Sequence, residues 1–123
     1  MAQGRLLVLD DDATVGQILV MAAQAAGFEA RQCDKLPAFM QELVDWMPSH
    51  VALDLGMPGT SPEQVMQSLA DAGCRARVIV CSGAAPQDLQ AALSTAQRLG
   101  LPTAGVLAKP FRLAELRALL AQV

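Results

Sequence analysis

Apolar and polar positions along the chain follow two alternating rhythms. Short runs of aliphatic and β-forming residues predict strands at Arg5–Leu9, Glu29–Gln32, His50–Asp54, Arg77–Cys81 and Thr103–Leu107. Between them, apolar residues recur at i, i+3, i+4, the spacing of one helix face. The first predicted stripe is Val15, Ile18, Leu19, Ala22 and Ala26, and the second is Phe39, Met40, Leu43, Val44 and Met47. Val65, Leu69 and Ala72 form a third, Leu89, Leu93, Ala96 and Leu99 a fourth, and Leu113, Leu116 and Leu120 a fifth. Gly27, Gly73 and Gly100 stand where helices should stop, and Pro48, Pro62, Pro86 and Pro102 mark element boundaries. Strict alternation of strand and helix, with nearly continuous apolar strands, implies a parallel sheet covered by helices on both faces. Such a sheet takes its ligand beyond the carboxyl ends of its strands, near the point where strand order reverses.

Composition narrows the functional classes. The 123 residues are expected to form one domain, 1–123, large enough to bury a core. A net charge of −3 with no basic patch argues against a nucleic-acid partner. The uncharged stretch from Ala13 to Phe28 is too short for a membrane span and is interrupted by Thr14, Gln17 and Gln24. It also lacks the flanks of a signal peptide, so a soluble, cytoplasmic protein without a membrane partner is expected. Cys33, Cys74 and Cys81 have neither an even count nor metal-ligand spacing, which fits reduced thiols. His50, the single histidine, lies at a strand start and reads as a surface or boundary residue.

The residues that follow each strand carry the chemistry. The first strand runs directly into Asp10, Asp11 and Asp12, three adjacent carboxylates that repel one another unless a cation sits among them. Folding alone gives no reason for this run, which suits a hard divalent ion such as Mg²⁺. Asp12, just before Ala13-Thr14-Val15, would also cap a helix well. The third strand ends in Asp54, the fourth in Ser82-Gly83 and the fifth in Lys109-Pro110. Carboxylates, a hydroxyl and an ammonium on one rim suit phosphoryl transfer through an aspartyl phosphate.

Two families use these parts. Leu6 to Val15 resembles the opening D-x-D-x-T/V motif of haloacid dehalogenase-type phosphatases, with Asp10 as nucleophile and Asp12 as general acid. That family needs a further acidic pair after its lysine, and here only Glu115 follows; Asp54 would also have no role. The second resemblance covers essentially the whole chain. Asp10-Asp11 resembles the acidic pair of response-regulator receiver domains, and Asp54-Leu55-Gly56-Met57-Pro58-Gly59 resembles their D-x-x-M-P-G phosphoacceptor motif. Ser82-Gly83-Ala84 resembles the switch hydroxyl segment and Lys109-Pro110-Phe111 the K-P-F signature.

The receiver resemblance implies a flavodoxin-like (βα)₅ three-layer sandwich with a parallel sheet of order 2-1-3-4-5. It implies a signalling domain, not an enzyme in the ordinary sense, with Asp54, Ser82 and Lys109 as the reactive set. Asp54 would accept a phosphoryl group from the phosphohistidine of a histidine kinase or histidine phosphotransfer protein. Mg²⁺ would be held by Asp11 directly, Asp10 largely through water, Asp54, and the carbonyl of Gly56. Lys109-Pro110 would be a cis peptide, and Asp12 would cap the first helix. The domain would then switch an output domain or partner protein, with a homodimer among the assemblies that fit.

The chain departs from the receiver pattern in two places. Where receivers usually carry Tyr or Phe, three residues before the lysine, this chain has Val106, and it contains no tyrosine. A β-branched side chain has little rotamer freedom, so switching through backbone and helix shifts over residues 83–108 is expected instead. The span from Ser82 to Lys109 is also longer than in a compact receiver. Residues 87–107 resemble receivers joined to EAL-type cyclic di-GMP phosphodiesterase domains. The sparsely charged first and fourth helices are candidate faces for a phosphodonor and an output partner respectively. The phosphatase and a receiver-like binding module that is never phosphorylated are the competing readings.

Overall fold

A computed structural model describes residues 3–83 and 85–121. Five strands, β1 (Arg5–Leu9), β2 (Glu29–Cys33), β3 (His50–Asp54), β4 (Arg77–Ser82) and β5 (Thr103–Ala108), alternate with five helices. The helices are α1 (Ala13–Ala25), α2 (Leu36–Trp46), α3 (Pro62–Asp71), α4 (Pro86–Arg98) and α5 (Leu113–Leu120). All strand pairs are parallel and the sheet order is β2-β1-β3-β4-β5. The expected flavodoxin-like sandwich is therefore what the chain forms, and each expected strand overlaps an observed one.

Alternation along the strands splits the core between the two faces of the sheet. Leu7, Leu9, Val51, Leu53, Val78 and Val80 pack beneath α2, α3 and α4, against Phe39, Leu43, Met66, Leu69, Leu89 and Ala96. Leu6, Val8, Ala52, Ile79, Cys81 and Leu107 pack beneath α1 and α5, against Leu19, Val20, Ala23, Leu116 and Leu120. α3 and α4 begin with proline in the first turn, where its missing N–H costs nothing. Gly27, Gly73 and Gly100 follow α1, α3 and α4 with positive φ, as their positions suggested.

Several expected helix positions face outward. Ile18, expected on the buried stripe of α1, is half exposed, and the buried face is Gly16, Leu19, Val20 and Ala23. On α2, Val44 and Met47 are exposed and Trp46 is buried in their place. Ala72 and Leu113 are exposed as well, while Met66 joins the core. His50 also departs from expectation: only 6% of its surface is exposed. Its ring packs edge-on against Phe28, at 5.4 Å between centroids, and its Nδ1 lies 2.9 Å from the Ser49 hydroxyl. No helix among the described residues is long and apolar enough to cross a membrane.

Candidate functional site

Register brings the chemistry-bearing strand ends together. Leu9 on β1 pairs with Leu53 on β3, so Asp10 and Asp54 leave adjacent strands side by side. Asp54 pairs with Cys81, and Ser82 pairs with Ala108, which sets Ser82 at the end of β4 and Lys109 just past the end of β5. Sheet order reverses between β1 and β3, and the acids sit at that crevice.

One carboxylate oxygen from each of Asp10, Asp11 and Asp54 lies within 4.8 Å of the others. The three differ sharply in surroundings. Asp10 is fully buried; its Oδ1 accepts the Asp12 N–H at 2.9 Å and its Oδ2 the Lys109 ammonium at 3.0 Å. Asp54 is half-buried; its Oδ1 accepts the Gly56 N–H at 3.0 Å and lies 3.4 Å from Lys109 Nζ. No hydrogen bond among the described residues reaches Asp54 Oδ2. Asp11 is exposed and has no hydrogen bond or ion pair among the described residues. Ser82 is buried at the end of β4, and its carbonyl accepts the Lys109 N–H at 2.9 Å.

Lys109 is the cation that lets these acids coexist. Burial works against its ammonium, but the hydrogen bond to Asp10 and the charges of Asp54 and Asp10 outweigh it and hold the pKa above the ordinary 10.5. One positive charge against three negative ones leaves a double negative excess. The donors present are all oxygens, so the cluster suits a hard divalent cation.

Asp12 does not share this cluster. Its Oδ1 accepts the N–H groups of Thr14 and Val15, at 2.9 and 3.2 Å, and caps α1 as expected. Lys109-Pro110 is cis, also as expected. Ala84, the last residue of the expected switch segment, lies outside the described residues. Gln32 is a residue that the strand pattern does not single out: its amide donates to the carbonyls of Asp10, at 3.1 Å, and Asp12, at 3.4 Å. The available signal was Gly16 inside a helix, because a Cβ there would overlap the Gln32 carboxamide.

Fold and site together define a flavodoxin-like α/β domain whose acidic crevice is bridged by a lysine. The sequence pattern of the response regulator receiver domain family matches residues 6–121. The chain belongs to that family, the signalling domains of two-component systems. No curated protein matches the chain. A receiver domain from Bermanella marisrubri superposes with a TM-score of 0.75 at 24% identity, covering 91% of this chain and 90% of that one. The receiver domain of Francisella response regulator 1452 gives 0.79 at 18% identity, covering 96% and 93%. Full-length FixJ from B. japonicum gives 0.81 at 24% identity, covering 98% of this chain and 57% of that one.

Proposed function

We propose that Asp54 is the phosphoacceptor of this receiver domain and that residues 1–123 act as one signalling unit. The observation that carries the reading is the unequal treatment of two neighbouring acids. Both oxygens of Asp10 are engaged, by Asp12 N–H and by Lys109, whereas Asp54 Oδ2 has no hydrogen bond among the described residues. A nucleophile needs an available oxygen, which Asp54 Oδ2 offers among the described residues. The same contrast argues against a phosphatase built on Asp10, whose proposed acid, Asp12, is occupied as a helix cap.

In the transfer, Asp54 Oδ2 attacks the phosphorus of a phosphohistidine on a histidine kinase or phosphotransfer protein. The new P–O bond forms as the P–N bond breaks, and the imidazole nitrogen leaves with the electron pair. Lys109, already 3.4 Å from Asp54 Oδ1, would hold one phosphoryl oxygen, and the Ser82 hydroxyl another. Asp10, Asp11, Asp54 and the Gly56 carbonyl would hold Mg²⁺, which when bound supplies positive charge against the phosphoryl oxygens. Water later cleaves the acyl phosphate, which makes the domain a timer more than an enzyme.

The phosphodonor is proposed to dock on α1. Ile18 and Met21 are 50% and 59% exposed there. Beside them an apolar hollow of about 390 Å³ is lined by Val15, Ile18, Lys109, Pro110 and Phe111, within reach of the acids. α4, the other sparsely charged helix, exposes no large apolar side chain among the described residues, so its partner would be met through polar contacts. The output is proposed to be an EAL-type cyclic di-GMP phosphodiesterase domain, on the resemblance of residues 87–107.

Labelling by acetyl phosphate, or binding of beryllofluoride, in the presence of Mg²⁺ tests the assignment. Asp54→Asn should abolish both, while Asp10→Asn should weaken them without moving the site. Label that persists in Asp54→Asn and vanishes in Asp10→Asn would hand the reaction to the phosphatase reading. Absence of any label or mimic binding in the wild type would leave a binding module that is never phosphorylated.

A further inference from the structure

The acidic loop between β1 and α1 is anchored from outside by β2. The Asp10 N–H donates to the Cys33 carbonyl at 3.1 Å, and the Gln32 amide reaches back to the carbonyls of Asp10 and Asp12. Gln32 therefore spans the loop, gripping it on either side of Asp11. Its carboxamide lies over the backbone of Gly16 in the first turns of α1, in the space that any Cβ at that position would take. Gly16 is buried in α1, and glycine in a helix interior costs about 1 kcal/mol relative to alanine. The cost is explained if the loop needs Gln32 where it is.

We infer that Gln32 is a positioning residue for the divalent cation, holding the β1–α1 loop so that Asp10 and Asp11 face the crevice before the ion arrives. Gly16 is the notch that admits it. Gln32 touches no ligand atom; it acts through the carbonyls on either side of Asp11, and the inference rests on the metal role proposed above. Without it, the buried carboxylate of Asp10 and the exposed one of Asp11, which repel each other, must be ordered at the expense of ion binding.

Two substitutions separate positioning from mere packing. Gln32→Met keeps the length and bulk of the side chain but removes the donor. Gly16→Ala improves helix propensity while displacing the carboxamide, a flexible group that can swing away. Mg²⁺ affinity, measured by calorimetric titration of the whole chain with Mg²⁺ alone, should fall about tenfold in each, the scale of a supporting contact behind metal ligands. Gly16→Ala should keep or raise the thermal midpoint at the same time. In a Gln32→Met background, Gly16→Ala should cost no further affinity, because the contact it displaces is already gone. Acetyl phosphate labelling should need more Mg²⁺ for half-maximal rate yet reach the wild-type rate at saturation. Wild-type affinity in both single variants would overturn the inference. A wild-type chain that takes up no Mg²⁺ would instead sink the metal reading itself, and the inference with it.

Discussion

Asp11 has no partner among the described residues, yet its carboxylate shares a 4.8 Å cluster with two others. In the metal-free fold it adds negative charge to that cluster with no hydrogen bond or ion pair of its own among the described residues. Asp11→Asn should therefore stabilise the metal-free protein by about 1 kcal/mol, the Coulomb energy of two charges about 4 Å apart in a water-like medium. The same substitution should remove the stabilisation that Mg²⁺ gives the wild type by binding the native state. Urea unfolding with chelator and with Mg²⁺ reads both, and a loss of metal-free stability in Asp11→Asn would refute the argument. His50 is a second residue whose surroundings decide its behaviour. Burial, and then the charge of Arg77, lower its pKa below the ordinary 6.5, and its Nε2 has no hydrogen-bond partner among the described residues. A depressed pKa means that the unfolded chain binds the proton more readily. The stability His50 contributes is thus present above about pH 6.5 and lost as pH falls toward its folded pKa. Replacing His50 with leucine should flatten the dependence of the urea midpoint between pH 7.5 and 5.5, and an unchanged slope would place the titration elsewhere.

At the scale of elements, strands were readable and helix rotation was not. Runs such as Leu6-Leu7-Val8-Leu9 are buried on both faces, so the apolar stretch itself marks the strand, and the acid that follows marks its end. In α1 nearly every residue is small or apolar, so a helix is evident but several rotations satisfy the pattern equally. The rotation adopted buries Gly16 against Gln32, a contact from β2 that no periodicity within α1 can reveal. In α2 the deciding residue is Trp46, which lies under the guanidinium groups of Arg5 and Arg31, at 5.5 and 4.5 Å. It takes the buried place expected for Met47, whose backbone turns left-handed at φ 53° to end the helix. β5 holds another feature that a pattern cannot show. Its pairing with β4 shifts between Val78 and Ile79, and Gly105 adopts φ 148° where a Cβ would sit 2.8 Å from Leu119. Gly105→Ala should cost about 1–3 kcal/mol in urea unfolding, from backbone strain and overpacking against α5. A neutral substitution would mean that the edge strand yields more easily than its packing suggests.

For the whole molecule, the question is how an event at Asp54 reaches a partner. The gathering of Asp10, Asp54, Ser82 and Lys109 was legible because each ends or directly follows a strand, and the sheet topology gathers strand ends at one rim. What could not be read was that both oxygens of Asp10 are engaged, since that depends on Lys109 reaching back to the end of β1 from a position ninety-nine residues away. The same lysine ties the crevice to β4 and to the end of β5. Its backbone N–H is fixed to Ser82 on β4, its ammonium bridges Asp10 and Asp54, and it directly follows β5, which carries Val106. Val106 is half-buried, packed against the core beneath α4, and is too short and stiff to swing between two sites. A change at the crevice would then travel through the β4 and β5 backbone and the loops that follow them. Amide shifts on adding beryllofluoride and Mg²⁺ should accordingly spread over residues 83–108, and Val106→Ala should preserve most of that response. If the shifts stay confined to the contacts of Asp54, or if Val106→Ala abolishes the distant ones while Mg²⁺ and beryllofluoride still bind, the backbone route is wrong and Val106 itself is the relay.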